Sequence, residues 1–347
     1  MTLLAVVAHF IDFARKDKTF STFVVLGVFF FGKGKFMEIL IQLLLLVVGF
    51  VLLMKGADWF VDGAAAIADR LGIPQLVIGL TIVALGTSLP EAAVSISAAT
   101  KGSAAITIGN VLGSNIMNVL VILGLTSVIC VIPVQKSTVR YEIPFTIIIT
   151  AILAGLGLMN NQIDRWEGGV LWALMIVYLL YLLKMAKSGK PAEEEQKDEK
   201  KKPIWLLILM VIVGAVMIVK GSDVTVDAAS AIAKMFGMEE RFIGLTIVAF
   251  GTSLPELVTS VTAALKGKTD IAVGNIVGSN IFNILFVVGT TALITPVAYA
   301  PSFLVDSLVA IAAITLLFLC VVKNRRLGRL GGIIMLLGYA GYFAYIL

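Results

Sequence analysis

The sequence predicts an all-α polytopic membrane protein, with ten transmembrane helices arranged as two inverted five-helix repeats. Three observations predict it: the composition, the spacing of apolar runs, and an internal duplication. Of 347 residues, 59% are apolar and 14% charged, whereas soluble domains hold about 45–50% apolar and 25% charged residues. A spanning helix needs roughly 20 apolar residues, so ten of them use nearly all the apolar residues and leave no room for a soluble domain.

From Met37 onward the apolar runs fall at about 38–54, 74–98, 105–132, 143–160 and 166–184, then 204–220, 240–263, 270–295, 302–322 and 330–347. Five spans precede the charged stretch around residue 190 and five follow it. GLTIVALGTSLPE at 79–91 returns as GLTIVAFGTSLPE at 244–256, an offset of 165. The same offset aligns GNVLGSNIMN (109–118) with GNIVGSNIFN (274–283), and KGADWFVD (55–62) with KGSDVTVD (220–227), without a gap. Repeats of an odd number of spans enter the bilayer from opposite sides, which relates them by a pseudo-two-fold axis in the membrane plane. Transporters are built this way.

The organisation expected is therefore an extension at 1–36, a first repeat at 37–184, a linker at 185–203 and a second repeat at 204–347. The apolar stretch Phe20 to Phe31 is too short to span and lacks a small-residue cleavage site. Met37 is read as the start of the functional chain, with an interfacial anchor as the alternative for what precedes it. The linker carries a run of lysines with Glu193, Glu194, Glu195, Asp198 and Glu199, the composition of a solvated connector. Most Lys and Arg after Met37 fall on the linker's side, which makes that side cytoplasmic and the membrane the cell (inner) membrane. The net charge of +5 is orientation charge, with no nucleic-acid footprint.

Cys130 and Cys320 lie in separate apolar runs and His9 is the sole histidine, so disulfide frameworks and Cys/His metal sites are excluded. GNVLGSN lacks the Lys-Ser/Thr of a phosphate loop. No nucleophile, base and orienting group recur together, so an enzyme is not expected, nor a cofactor, nor an obligate protein partner.

Carboxylates inside a bilayer are costly and mark function. Glu91 and Glu256 are two such acids, placed by the repeat at equivalent depth. Helical spacing puts Thr87 and Ser88 on the face of Glu91, and Thr252 and Ser253 on that of Glu256. Ser114 with Asn118, and Ser279 with Asn283, stand one turn apart on the next spans. This donor set is all oxygen, suited to hard cations such as Ca²⁺. Pro90 and Pro255 remove the helical bonds to the carbonyls of Gly86 and Gly251, and the kinks are expected to turn those carbonyls toward the site. Carbonyls near Ala84 and Ala249, one turn further back, are placed to extend the shell. The glycine pairs Gly109/Gly113 and Gly274/Gly278 read equally as close helix packing or as backbone approach to an ion. Lys55, Asp58 and Asp62, with their copies Lys220, Asp223 and Asp227, read as solvated helix ends, with a cation funnel as the alternative. Trp59, Trp166, Trp172 and Trp205 are expected at the interface.

With its doubled GTSLPE and GSN motifs, the chain from residue 37 onward resembles the sodium/calcium exchangers of the cation/calcium antiporter superfamily. The resemblance implies that the second, third, seventh and eighth helices surround the ions while the first and sixth slide past them. It implies Ca²⁺ at Glu91, Glu256 and the backbone carbonyls of Thr87 and Thr252. Na⁺ is implied at Ser88, Ser114, Ser253 and Ser279 with the carbonyls of Ala84 and Ala249. Some relatives, including potassium-dependent ones, carry Asp at the position of Asn283, so Asn283 and Asn118 argue against K⁺ co-transport. The acidic motif of the proton-coupled branch differs from GTSLPE. Exchange of Na⁺ for Ca²⁺ is thus the leading expectation. Proton-coupled or potassium-dependent Ca²⁺ antiport on the same fold are the alternatives, and a cation channel fits inverted repeats poorly.

Overall fold

The computed structural model describes residues 33–100, 105–188, 202–238 and 249–346. Helices α1 (Lys33–Leu71), α2 (Gln75–Thr87), α3 (Leu89–Thr100), α4 (Ile106–Ile129), α5 (Thr138–Asn160) and α6 (Arg165–Lys187) make up the first half. The second half holds α7 (Ile204–Met235), α8 (Ala249–Thr252), α9 (Leu254–Leu265), α10 (Thr269–Ile294), α11 (Phe303–Val321) and α12 (Arg329–Ile346). Four two-residue strands lie between spans: β1 (Ile132–Pro133), β2 (Gln162–Ile163), β3 (Val297–Ala298) and β4 (Arg326–Leu327). The protein is a mostly helical, polytopic membrane protein. Among the described residues eight helices are long and apolar enough to cross a membrane, or nine if α2 and α3, bent by 47°, form one span. The run 240–263 lies partly outside the described residues, as does the segment before Lys33.

Elements of the two halves recur at the offset seen in the sequence. Ala84–Thr87 and Leu89–Thr100 match Ala249–Thr252 and Leu254–Leu265 residue for residue. Within α4 and α10 the helix widens to π geometry over Asn118–Leu123 and Asn283–Val288. Left-handed backbone occurs at Asn161 (φ 54°) and Arg325 (φ 50°). The carbonyl of Asn161 accepts the N–H of Tyr299 at 2.8 Å, and that of Arg325 accepts the N–H of Val134 at 2.9 Å. Strand β1 pairs antiparallel with β4, and β2 with β3, so both ribbons bridge the halves.

Two helices run well past their predicted apolar stretches. At about 1.5 Å per residue, the 39 residues of α1 reach about 58 Å, well beyond the roughly 30 Å hydrocarbon core. The runs 38–54 and 204–220 ended at Lys55 and Lys220 because charge begins there. The helices continue because the charges occupy one face, while Ala57, Phe60, Val61, Ala64 and Ala68 stay buried on another. The reading of Lys55, Asp58 and Asp62 as a helix end is thereby corrected: they lie in a helix interior.

Glycines at sevenfold spacing let α1 and α7 meet backbone to backbone. A Cβ on Gly56 would lie 2.9 Å from the Gly214 carbonyl, and one on Gly221 would lie 2.9 Å from the Gly49 carbonyl. Close packing is also the role of Gly274 and Gly278, where an added Cβ would reach the Leu76 carbonyl at 2.9 Å and Ala84 Cβ at 2.8 Å. Trp172 is half-buried and donates Nε1 to Thr290 Oγ1 at 3.1 Å. Helix α10 is enclosed almost all round, with α4 beside it, and the site lies where these two meet the breaks in the bent spans.

Candidate cation site

The break between α2 and α3 falls at Ser88 (φ −85°, ψ 5°), and that between α8 and α9 at Ser253 (φ −90°, ψ 1°). Each precedes its proline by two residues. Proline is tolerated in the first turn of a helix, so Pro90 and Pro255 open the helices that follow the breaks, and the span that holds Pro90 is bent by 47° there. As a result Glu91 and Glu256 occupy first turns, where unpaired N–H groups and the helix dipole favour negative charge. Both are buried, each 1% exposed.

The acids converge across the halves. Ser88 Oγ, three residues before Glu91, donates to Glu256 Oε1 at 3.0 Å. Ser279 Oγ donates to the Ala84 carbonyl at 3.4 Å. Thr87 Oγ1 donates to Asn275 Oδ1 at 3.0 Å, with the carbonyls of Val83 and Ala84 as further acceptors. Ser114 is buried on α4 and Thr252 half-buried at the end of α8. Ala249 begins α8.

The carbonyl expected to be freed by Pro255 is not turned to the site. Gly251 O accepts the hydroxyl of Ser222 on α7 at 2.7 Å, because a buried carbonyl without a helical donor takes the nearest one.

Asn118 and Asn283, expected at the site, belong to a network of asparagines whose other members, Asn110, Asn115, Asn275 and Asn280, no sequence signal singled out. Asn115 Nδ2 donates to the Asn280 carbonyl at 3.1 Å and Asn280 Nδ2 to the Asn115 carbonyl at 3.2 Å. Asn118 Nδ2 donates to Asn280 Oδ1 at 3.0 Å, and Asn283 Nδ2 to Asn115 Oδ1 at 3.1 Å. Asn110 holds the Glu91 carbonyl (3.2 Å) and Ser95 Oγ (3.0 Å), as Asn275 holds the Glu256 carbonyl (3.5 Å) and Ser260 Oγ (3.0 Å). Asn110, Asn115, Asn275 and Asn280 stand inside the repeated GNxxGSN stretches, where the glycines drew attention first.

With their amides engaged, Asn118 and Asn283 leave Oδ1 buried and without a donor among the described residues. The same holds for Oε2 of Glu91 and Glu256 and for Oγ of Ser253. Buried oxygens are normally satisfied, and a group of acceptor oxygens is chemically fitted to a cation. No cluster of three His, Cys, Asp or Glu occurs among the described residues, so any cation here draws on hydroxyl, amide and carbonyl oxygens beside the two carboxylates.

Broken spans that meet around paired carboxylates define a class, the membrane transporters of cations. The family model described as sodium/calcium exchanger protein matches residues 41–184 and 206–347. CaxA of Alkalimonas amylolytica is 41% identical over 312 residues, 87% of this chain and 98% of that protein. The sodium/calcium exchanger MaX1 of Methanosarcina acetivorans is 30% identical over 352 residues, 89% of this chain and 99% of that one. A solved structure of the sodium-calcium exchanger NCX_Mj is similar with a TM-score of 0.77 and 32% identity, covering 88% of this chain and 99% of that one. The chain belongs to the sodium/calcium exchanger family, and is a cation antiporter of the membrane, not an enzyme.

Proposed function

We infer that this antiporter exchanges Na⁺ for Ca²⁺ by alternating access and extrudes Ca²⁺ from the cell. In this reading Glu91 and Glu256, with the carbonyls of Thr87 and Thr252, hold Ca²⁺. Ser88, Ser114, Ser253 and Ser279, with the carbonyls of Ala84 and Ala249, hold Na⁺. Asn118 and Asn283 contribute neutral oxygens. The observation that carries the reading is the set of donor-less buried oxygens on both halves around the Ser88–Glu256 bond.

Charge balance supplies the mechanism. Two ionised glutamates carry minus two, neutralised by one Ca²⁺ or two Na⁺, so the loads compete. Leaving both carboxylates uncompensated costs several kcal/mol per ion at low dielectric, which disfavours crossing without a load. Any Na⁺ beyond two makes the cycle electrogenic.

The architecture in this reading is ten spans, the repeats 37–184 and 204–347 being inverted about an axis in the membrane plane. The shared offset of elements and the two ribbons that join the halves support it. The linker 185–203 is cytoplasmic and the membrane is the inner membrane, supported by the distribution of Lys and Arg. Helices α1 and α7, packed on each other along their glycine faces, slide past the core as a pair, while Ser222 of α7 secures the Gly251 carbonyl at the second break.

The test is a flux assay in sealed vesicles loaded with Ca²⁺. Na⁺ added outside should release Ca²⁺ without K⁺ and without a pH gradient. Release indifferent to Na⁺, or driven equally well by a proton gradient alone, would reject the reading.

A further inference from the structure

The loop joining α11 to α12 carries Lys323, Arg325, Arg326 and Arg329, all exposed. It is held in place. Arg326–Leu327 pairs with Ile132–Pro133, and the Arg325 carbonyl accepts the Val134 N–H. This pairing brings Lys136 and Arg140, exposed in the segment after β1, to the same end of the molecule. Among the described residues none of these six cations pairs with a carboxylate. Orientation charge alone would need nothing more.

Here, however, one of these cations, Arg326, lines an open cavity of about 660 Å³. Asn324 and Arg326 are its polar lining, and Cys320, Leu330 and Ile334 its apolar lining. Gly328 and Gly331 leave it room. Ile334 lies five residues into α12, so the cavity runs from the loop about 7 Å along the span. Leu330 is 72% exposed and Ile334 43% exposed, so the cavity that Arg326 lines also carries an open apolar strip.

We propose that this cavity binds one anionic phospholipid, its phosphate held by Arg326 and Asn324 and an acyl chain lying along Leu330 and Ile334. Two features commit it to a lipid: the apolar lining, which a free phosphate would not use, and the surplus of cations, which favours a net negative headgroup. Arginine suits the position because its planar fork meets phosphate oxygens two at a time, while its stem covers apolar surface.

Native mass spectrometry on the purified full-length chain, titrated with phosphatidylglycerol or with phosphatidylcholine of the same acyl chains, tests this. One phosphatidylglycerol should be retained in clear preference. Arg326→Gln should weaken it roughly fivefold, and Arg326→Gln with Arg329→Gln further, each cation near the surface contributing about that factor. Gly328→Leu narrows the cavity with every charge kept, has open space at its Cβ, and should weaken retention. Na⁺-driven Ca²⁺ release by the variants, in vesicles of phosphatidylcholine alone, checks that they fold. Equal retention of both lipids, or no effect of Arg326→Gln and Gly328→Leu, would overturn the proposal. Displacement by inorganic phosphate at the lipid's own concentration would make the cavity a free-anion site. Retention seen only after neutralising Glu193, Glu194, Glu195, Asp198 and Glu199 would assign the patch to the linker; both results also overturn it.

Discussion

Ser88, at the break in one span, donates its hydroxyl to Glu256 in the first turn of a helix 168 positions away, at 3.0 Å. The bond makes one half responsible for orienting the carboxylate of the other. A hydrogen bond to a charged group contributes about 1.5–3 kcal/mol, so Ser88→Ala should weaken Ca²⁺ binding at least tenfold. Its counterpart Ser253, whose hydroxyl has no partner among the described residues, should affect Na⁺ dependence more than Ca²⁺ affinity when changed to Ala. Equal Ca²⁺ affinities in both variants and wild type, by isothermal titration, would remove Ser88 from this role.

Glu91→Gln and Glu256→Gln should each abolish Ca²⁺ exchange, since one remaining carboxylate does not balance a divalent ion. Both variants should still insert and run as folded protein on size exclusion. Exchange at wild-type rate in either would refute the assignment.

Asn283→Asp adds a third carboxylate beside Asn115 Oδ1, which now accepts the Asn283 amide at 3.1 Å. The added charge calls for a further monovalent cation. Flux in the variant should slow and acquire stimulation by K⁺, measured by Ca²⁺ release at fixed Na⁺ with K⁺ varied. A variant that K⁺ leaves unmoved shows that Asn283 does not exclude potassium.

Gly56→Ala places a methyl 2.9 Å from the Gly214 carbonyl and from the Ile218 nitrogen. Backbone does not yield as a flexible side chain does, and overpacking costs about 1–3 kcal/mol. Thermal unfolding should begin several degrees lower and transport should fall. Gly155→Ala, with nothing within 4 Å of its Cβ, is the control and should do neither.

Lys266 joins the end of α9 to α1, with Nζ 2.8 Å from Asp62 Oδ1 and 3.1 Å from Asp58 Oδ1. Partial burial lowers its affinity for the proton, but the hydrogen bonds it donates to Asp62 and Asp58, with their negative charge, more than reverse this and hold its pKa above the ordinary lysine value. A raised pKa contributes stability below the unfolded value that is lost as pH rises through the folded one, so the bridge persists at neutral pH. Lys266→Gln should cost at most about 1 kcal/mol, as for exposed pairs, while changing the transport rate. An unchanged rate would make the bridge purely structural.

Much of this was legible in the sequence because a duplication states each element twice. Glu91, Glu256 and the Thr-Ser pairs before them needed only their spacing and the cost of a buried acid. The asparagine brace was harder to see, since Asn115 and Asn280 bond across the halves and no local pattern announces which amides will meet. Ser222 was invisible for the same reason. The lengths of α1 and α7 were misjudged where charges on one face masked the apolar face continuing behind them, and the helix breaks expected at the prolines fall at the serines two residues before them.

The central claim is that Na⁺ and Ca²⁺ compete for one set of oxygens at Glu91 and Glu256. Equilibrium binding of radioactive Ca²⁺ to the purified protein, with Na⁺ raised at constant ionic strength, tests it most directly. Complete displacement is expected, with a Hill coefficient for Na⁺ above one and no Ca²⁺ bound in Glu256→Gln at any Na⁺ concentration. Ca²⁺ that stays bound at saturating Na⁺ would contradict it.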